Sequence, residues 1–324
     1  MPIYRCNQCG FISEVPHTPT QQTPCSRCNT VCTVYGTVFF VEEIIKRLGS
    51  ATQEIKQLKE AAAAQLAAST PASFPVLNAH ASNTAVDASA AIQQWFATRQ
   101  IDAQFDPALS DTSGFFDETA VKIGDGYTLF GELMERVRYA YRKSHSTVTL
   151  ELAQLPQKDI KELTQLCRWL YEHTFFARYH YQKTEKIARL TLQTAPAIRQ
   201  FFEGGWLEWY ALMAVQQVSG NGVQPLLASA RGVKVVFPNE DLHELDVVCL
   251  PTSQIPVCIE CKSGEFRRDI DKYLRLRKRL DVPRQRFIIL SPELTQEQAD
   301  GLSAMYELSF VNLHSLTPHL RQLL

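Results

Sequence analysis

The chain has 324 residues, of which 45% are hydrophobic and 21% charged, with 33 Lys and Arg set against 34 Asp and Glu. That length accommodates two or three domains, and the balance is that of a folded globular chain rather than a disordered one. A globally basic nucleic-acid coat protein is excluded, though a local basic patch is not. No run of about 18 apolar residues marks a membrane span, and the start, Met1 to Gly10, lacks the basic-then-apolar build of a secretory signal. A cytoplasmic location without a membrane partner is expected.

Nine cysteines occur, five of them within the first 32 residues. That crowding suits a metal site better than a secreted disulfide framework. Cys6 and Cys9 form one Cys-x-x-Cys pair and Cys25 and Cys28 another, with fifteen residues between the pairs. Each pair can wrap two thiolates around one ion, Gly10 gives the first knuckle backbone freedom, and Pro24 leads into the second. Followed by the strand-like run Thr33 to Phe40, residues 1–41 read as a zinc ribbon. Its Zn²⁺ is structural, held by Cys6, Cys9, Cys25 and Cys28. The rival reading is a redox pair, but a redox motif does not normally arrive twice. Cys32 reads as a small core residue or a substitute ligand.

Residues 42–68 are rich in helix formers with apolar positions at Ile44, Ile45, Leu48, Ile55 and Leu58, which predicts a helix or short coiled coil. Residues 69–88 turn to Ser, Thr, Pro, Ala and Asn without periodicity and read as a flexible linker. Residues 89–194 read as a helical, winged-helix-like middle. A short helix around Ala91 to Gln100 is followed by a turn-rich stretch to Gly126. Then come a helix over Leu129 to Lys143, a strand over Thr147 to Leu152, a helix opened by Pro156 over Gln157 to Glu172, and a hairpin from Phe175 to Leu192. The middle reads either as a connector or dimerisation module or as a DNA contact through Arg168, Lys183 and Lys186.

Residues 195–324 read as an α/β sheet covered on its faces: a helix over Trp206 to Val218, strands at Gly232–Phe237, Glu244–Leu250 and Val257–Cys261, a basic helix from Arg267 to Leu280, a strand at Arg286–Leu290, a helix near Thr295 to Tyr306 and a strand at Leu308–Val311. Asp246 lies in one apolar strand and Glu260-Cys-Lys262 closes the next. Glu260 and Lys262, two apart, share a face, while Cys261 faces the core beside Ile259. Two neighbouring carboxylates are costly without a cation, and hard oxygen ligands select Mg²⁺ or Mn²⁺. Lys262 is then placed to orient or deprotonate water and to offset charge on the phosphate. Glu244 is a secondary candidate, and His243 reads as a turn residue rather than a base.

This pattern resembles the PD-(D/E)xK nuclease superfamily, in which a loosely kept Asp precedes a strand bearing Glu-x-Lys. With Glu203-Gly-Gly-Trp-Leu-Glu208-Trp-Tyr added, it is similar to the nuclease domain of the Can/Card group of CRISPR-associated, cyclic-oligonucleotide-activated nucleases, over roughly residues 129–290. The resemblance implies Asp246 and Glu260 as metal ligands, Lys262 as the catalytic lysine and Glu208 as a further acid at the metal. Members of that group carry an N-terminal nucleotide-sensing Rossmann-like domain, from which residues 1–128 depart.

A local excess of cations runs from Arg267 to Arg286, with Arg267, Arg268, Lys272, Arg275, Lys278 and Arg279 as candidate phosphate contacts and Tyr273 as either a core residue or a base-stacking one. The expectation is a multidomain α/β protein whose restriction-endonuclease-like sheet carries a metal-dependent nuclease acting on nucleic acid, with DNA favoured. The ribbon is expected to meet a protein partner or second site, and a homodimer fits an enzyme that cuts two strands. The rival is a catalytically silent nucleic-acid-binding or regulatory adaptor.

Overall fold

The structure, a computed structural model, describes residues 2–6, 11–15, 22–35, 85–106, 109, 115–220, 226–239 and 241–324. Two compact units divide the chain, residues 1–79 and 80–324. In the first, β1 (Ile3–Arg5), β2 (Ile12–Glu14), β3 (Gln22–Pro24) and β4 (Val31–Tyr35) form an antiparallel sheet in the order β2-β1-β4-β3. Its small core is Tyr4, Cys6, Cys25, Cys32 and Val34. The thiol of Cys32 donates to the Thr30 carbonyl at 3.3 Å, so this cysteine packs as a core residue. Cys9, the 42–68 helix and most of the 69–88 linker lie outside the described residues.

In the second unit, α1 (Ala85–Ala97) begins inside the stretch expected to be linker. It is followed by β5 (Asp102–Gln104), α2 (Phe116–Asp125), α3 (Tyr127–Arg142), β6 (Thr147–Glu151), α4 (Gln157–Glu172), β7 (Phe176–Gln182) and β8 (Ile187–Leu192). A short α5 (Pro196–Gln200) runs through a π-helical turn, Phe201–Gly205, into α6 (Trp206–Gly220). Then come β9 (Leu226–Val236), β10 (Leu242–Pro251), β11 (Val257–Cys261), α7 (Ile270–Leu280), β12 (Phe287–Leu290), α8 (Gln296–Met305), β13 (Ser309–Val311) and α9 (Leu313–Leu323).

A six-stranded sheet in the order β13-β12-β11-β10-β9-β5 is the frame. Strands β11, β12 and β13 pair in parallel and the others antiparallel. Strand β12, parallel to both of its neighbours, reads as the unbroken apolar run Phe287-Ile-Ile-Leu290 because both of its faces are covered. One face packs on α1, α7 and α8, with Trp95 and Phe96 in that core. The other packs on α6, α9 and the elements from α2 to β8.

Two expected boundaries change. Residues 85–106 belong to the sheet rather than to the middle, because β5 pairs with β9 from Asp102↔Val236 to Gln104↔Lys234 and the Trp95 indole donates to the Gln254 carbonyl at 3.0 Å. No break in the core falls at 194/195 either. Phe175 meets Phe201 at 5.1 Å between ring centres, Phe176 stacks on Phe202 at 5.6 Å, and Phe116 stacks on Trp209 at 6.3 Å. Large aromatic faces leave water together here, so the three-stranded sheet β6-β8-β7 and the six-stranded one share one core.

One irregularity positions the site. Ala228 and Ala230 face the same core as Val233 and Val235, so the alternation of β9 slips a step at Gly232, which has φ +63°. The slip repeats on β10 across Asp246, since Leu245 and Val248 face one core while Val247 faces the other. Only a residue without Cβ takes that backbone without strain, and an added Cβ would lie 2.5 Å from Leu109 Cδ1. Gly232→Ala is expected to cost about 1–3 kcal/mol, read as a lower urea midpoint at unchanged m-value.

Candidate active site

Strands β10 and β11 pair from Cys249↔Val257 to Val247↔Ile259 and then fork, β10 staying with β9 and β11 with β12. At the fork the Asp246 carboxylate takes the place of a ladder carbonyl, its Oδ2 accepting from the Cys261 N–H at 2.7 Å. Strand β11 ends at Cys261, and the Lys262 N–H still donates to the Leu290 carbonyl at 2.8 Å, which extends the register by one residue. Lys262 Nζ lies 3.2 Å from Asp246 Oδ2 and 3.2 Å from Glu260 Oε2. The three side chains expected to act together are thus brought together, with Cys261 against the core beside Ile259.

Glu260 is only 3% exposed, and its Oε1 is buried without a partner among the described residues. Burial, reinforced by the charge of Asp246, pushes its carboxyl up to about 8 against the opposing pull of Lys262. Burial also pulls the Lys262 ammonium down, but Asp246 and Glu260 more than reverse this and hold it well above its ordinary value. The aromatic ring of Tyr273, from α7, stands with its centre 5.5 Å from Nζ, so this tyrosine packs against the lysine within the core.

Glu208, in the first turn of α6, lines the same cleft of about 280 Å³ with Glu203, Gly204, Asp246 and the 261–265 segment. Its Oε2 accepts from Arg231 Nη1 at 2.8 Å. Arg231, 6% exposed, also donates to the Leu109 carbonyl at 2.8 Å and lies over the Trp209 ring at 4.3 Å. Burial, then the nearby Asp246 charge, pushes the Glu208 carboxyl up to about 7, partly countered by Arg231. Sequence reasoning missed Arg231, although a lone Arg-Gly step within an apolar strand was a usable signal. Glu244 is exposed opposite Lys234 and does not line the cleft; His243 packs edge-on against Phe237 at 5.6 Å.

The basic helix divides into paired and open positions. Arg267 bridges to Glu265 at 3.3 Å and Arg277 to Glu307 at 2.8 Å. Arg279 bridges to Asp241 at 2.8 Å and covers the Phe237 ring at 3.6 Å, while Lys278 reaches Glu307 only at 3.8 Å. Arg268, Lys272 and Arg275 are exposed, with no ion pair among the described residues.

In the N-terminal unit the sulfurs of Cys6, Cys25 and Cys28 lie within 4.8 Å of one another, with Cys6 and Cys28 at 3.4 Å. Soft sulfur donors at that spacing fit a thiophilic metal, whereas the oxygens at the fork fit a hard one. No described helix is long and apolar enough to cross a membrane.

No protein-family model matches the chain, and no curated protein does. Among solved structures, the structure of Can2 from Sulfobacillus thermosulfidooxidans in complex with cyclic tetra-adenylate is 17% identical, covering 71% of this chain and 59% of that one, with a TM-score of 0.51. Protein VC1899 from Vibrio cholerae is 19% identical, covering 72% of this chain and 60% of that one, with a TM-score of 0.49. The chain therefore spans about three fifths of each neighbour's length. The likeness to Can2 agrees with the Can/Card resemblance at the level of the fold.

Because Glu208 and Glu260 hold protons more tightly folded than unfolded, the native state binds the extra protons and stability falls as pH rises from about 4.5 towards 8. Urea unfolding at pH 5 and pH 8 without added divalent metal should show that slope, and Glu260→Gln should flatten it.

Proposed function

We propose that residues 80–324 form a metal-dependent nuclease of the PD-(D/E)xK type, hydrolysing phosphodiester bonds of nucleic acid, with DNA the favoured substrate. The carrying observation is the fork. Asp246, Glu260 and Lys262 meet there, and a buried carboxylate oxygen, Glu260 Oε1, has no partner among the described residues. An orphaned polar oxygen in the core is expensive, and a hard cation would satisfy it and hold the carboxyl ionised. Asp246 and Glu260 would hold Mg²⁺ or Mn²⁺, which supplies Lewis acidity toward a phosphoryl oxygen and acidifies bound water.

The chain's own residues have separable tasks. Lys262, held as an ammonium by two carboxylates, offsets charge accumulating on the phosphate instead of removing a proton. Glu208, poised to about 7, is suited to take a proton from water near neutral pH. Exposed Arg268, Lys272 and Arg275 offer cations to a phosphate backbone, and the order of α3, β6, α4 and the β7–β8 hairpin suits a winged-helix-like support. In the N-terminal unit, Cys6, Cys25 and Cys28 with Cys9 would hold structural Zn²⁺, making a zinc ribbon that engages a protein partner or second site. Two such chains acting as a dimer would account for cutting both strands.

The test is incubation of the full chain with supercoiled plasmid, single-stranded DNA and RNA in Mg²⁺ or Mn²⁺. Cleavage should require the metal and fall at least ~10²-fold in Lys262→Ala and Glu260→Ala. Full cleavage by either folded variant sinks the assignment, and binding without cleavage by the wild type selects the silent adaptor. Separately, about one Zn²⁺ per chain should be measured by elemental analysis and be lost in Cys6→Ser with Cys25→Ser.

A further inference from the structure

Beyond the fork, the 262–265 segment leaves the sheet and lines the cleft beside Asp246 and Glu208. One side chain from a distant part of the sequence holds that segment. Arg138, on α3, donates through Nη1 to the Ser263 carbonyl and to Ser263 Oγ, the latter at 3.0 Å. Among the described residues, both hydrogen bonds to Ser263 come from this guanidinium, while the peptide before it is fixed by the Lys262 N–H to Leu290 carbonyl bond. Next along, Gly264 has φ +156°, and an added Cβ would stand 3.8 Å from both Nη1 and Nη2, so the guanidinium plane also underlies the glycine. Glu135, one turn back on α3, fixes the far side of the fork at 3.0 Å to Nη2.

This arrangement is not explained by the stability of α3 itself. The Arg138 side chain is 15% exposed, and its Nε is buried with no partner among the described residues. An unmet buried donor is a cost, so the orientation is kept for what Nη1 holds. A planar fork that grips a carbonyl and a hydroxyl together is a task a lysine ammonium cannot reproduce.

We infer that Arg138 is a positioning residue for the reaction: it locks the Ser263–Gly264 backbone so that Lys262 Nζ stays between Asp246 and Glu260. The inference deepens the nuclease reading of the same cleft and rests on it. It also makes the middle elements part of the catalytic apparatus, since α3 reaches the loop that follows β11. A displacement of about 1 Å at reacting groups is enough to cost roughly 10²-fold in rate.

Arg138→Ala and Arg138→Lys in the full chain, at equal thermal stability, test this. The expected result is a kcat loss of about 10–100-fold in Arg138→Ala with KM changed less than about threefold, and a smaller recovery in Arg138→Lys. Millimolar guanidinium should restore part of the Arg138→Ala rate and leave the wild type unaffected. Hydrogen exchange at the amides of residues 263–265 should quicken in both variants, with α3 unchanged. Wild-type kcat in Arg138→Ala, or a loss without guanidinium rescue, overturns the inference. Should the wild type cleave nothing, the nuclease reading fails separately, and exchange at 263–265 still decides whether Arg138 holds the loop. Unchanged exchange overturns that hold outright.

Discussion

The structure turns on one ammonium group shared by two carboxylates at the point where two strands part. Lys262 is 3.2 Å from both Asp246 and Glu260, and Glu260 is sealed in the core. A buried carboxylate with no countercharge would be paid for in several kcal/mol, so this sheet tolerates Glu260 only because Lys262 reaches in beside it. The fork gives the lysine its way in. Had β10 and β11 continued to pair, Asp246 could not have taken the Cys261 N–H, and the two acids would have been held apart on a closed ladder.

A second charged pair stands beside the first and balances it differently. Arg231 and Glu208 bond at 2.8 Å, yet burial, with the nearby Asp246 charge added to it, still pushes the Glu208 carboxyl up to about 7. Three acids around the fork therefore stand in three environments: Asp246 paired by Lys262 and a backbone amide, Glu260 sharing that lysine with one oxygen unmet among the described residues, and Glu208 tied to an arginine on the neighbouring strand. Such separation of carboxyl environments is how one site provides both an acid and a base.

What was legible in the sequence was whatever the local pattern determines. Asp246, Glu260 and Lys262 stood out because charge in apolar strands needs a compensating reason, and α4 was legible over its full length, Gln157–Glu172, because Pro156 and an apolar period bound it. Elements whose making is tertiary were not. Helix α2 starts from Phe115 at φ 61° with no polar cap, and α9 carries Pro318 inside it, so both break the local rules that mark helices. Strand β5 has three residues and exists only because β9 offers an edge. The slip at Gly232 shows in the sequence only as a change of phase, from Ala228 and Ala230 to Val233 and Val235, and on β10 apolar residues on both sides of Asp246 hide it.

The pairing of β5 with β9 also sets the order in which the chain can become stable. Helix α1 and β5 leave the ribosome before the whole of the middle, yet their core partners Val233, Val235 and Leu245 are made after it. Ile92, Trp95, Phe96 and Ile101, all buried in the finished protein, must wait uncovered while α2 to α6 are synthesised. Closing that long loop is the slow kind of folding step. Nascent chains stalled in the middle would thus display an apolar helix with nothing to cover it, a surface for chaperones to hold until β9 and β10 emerge.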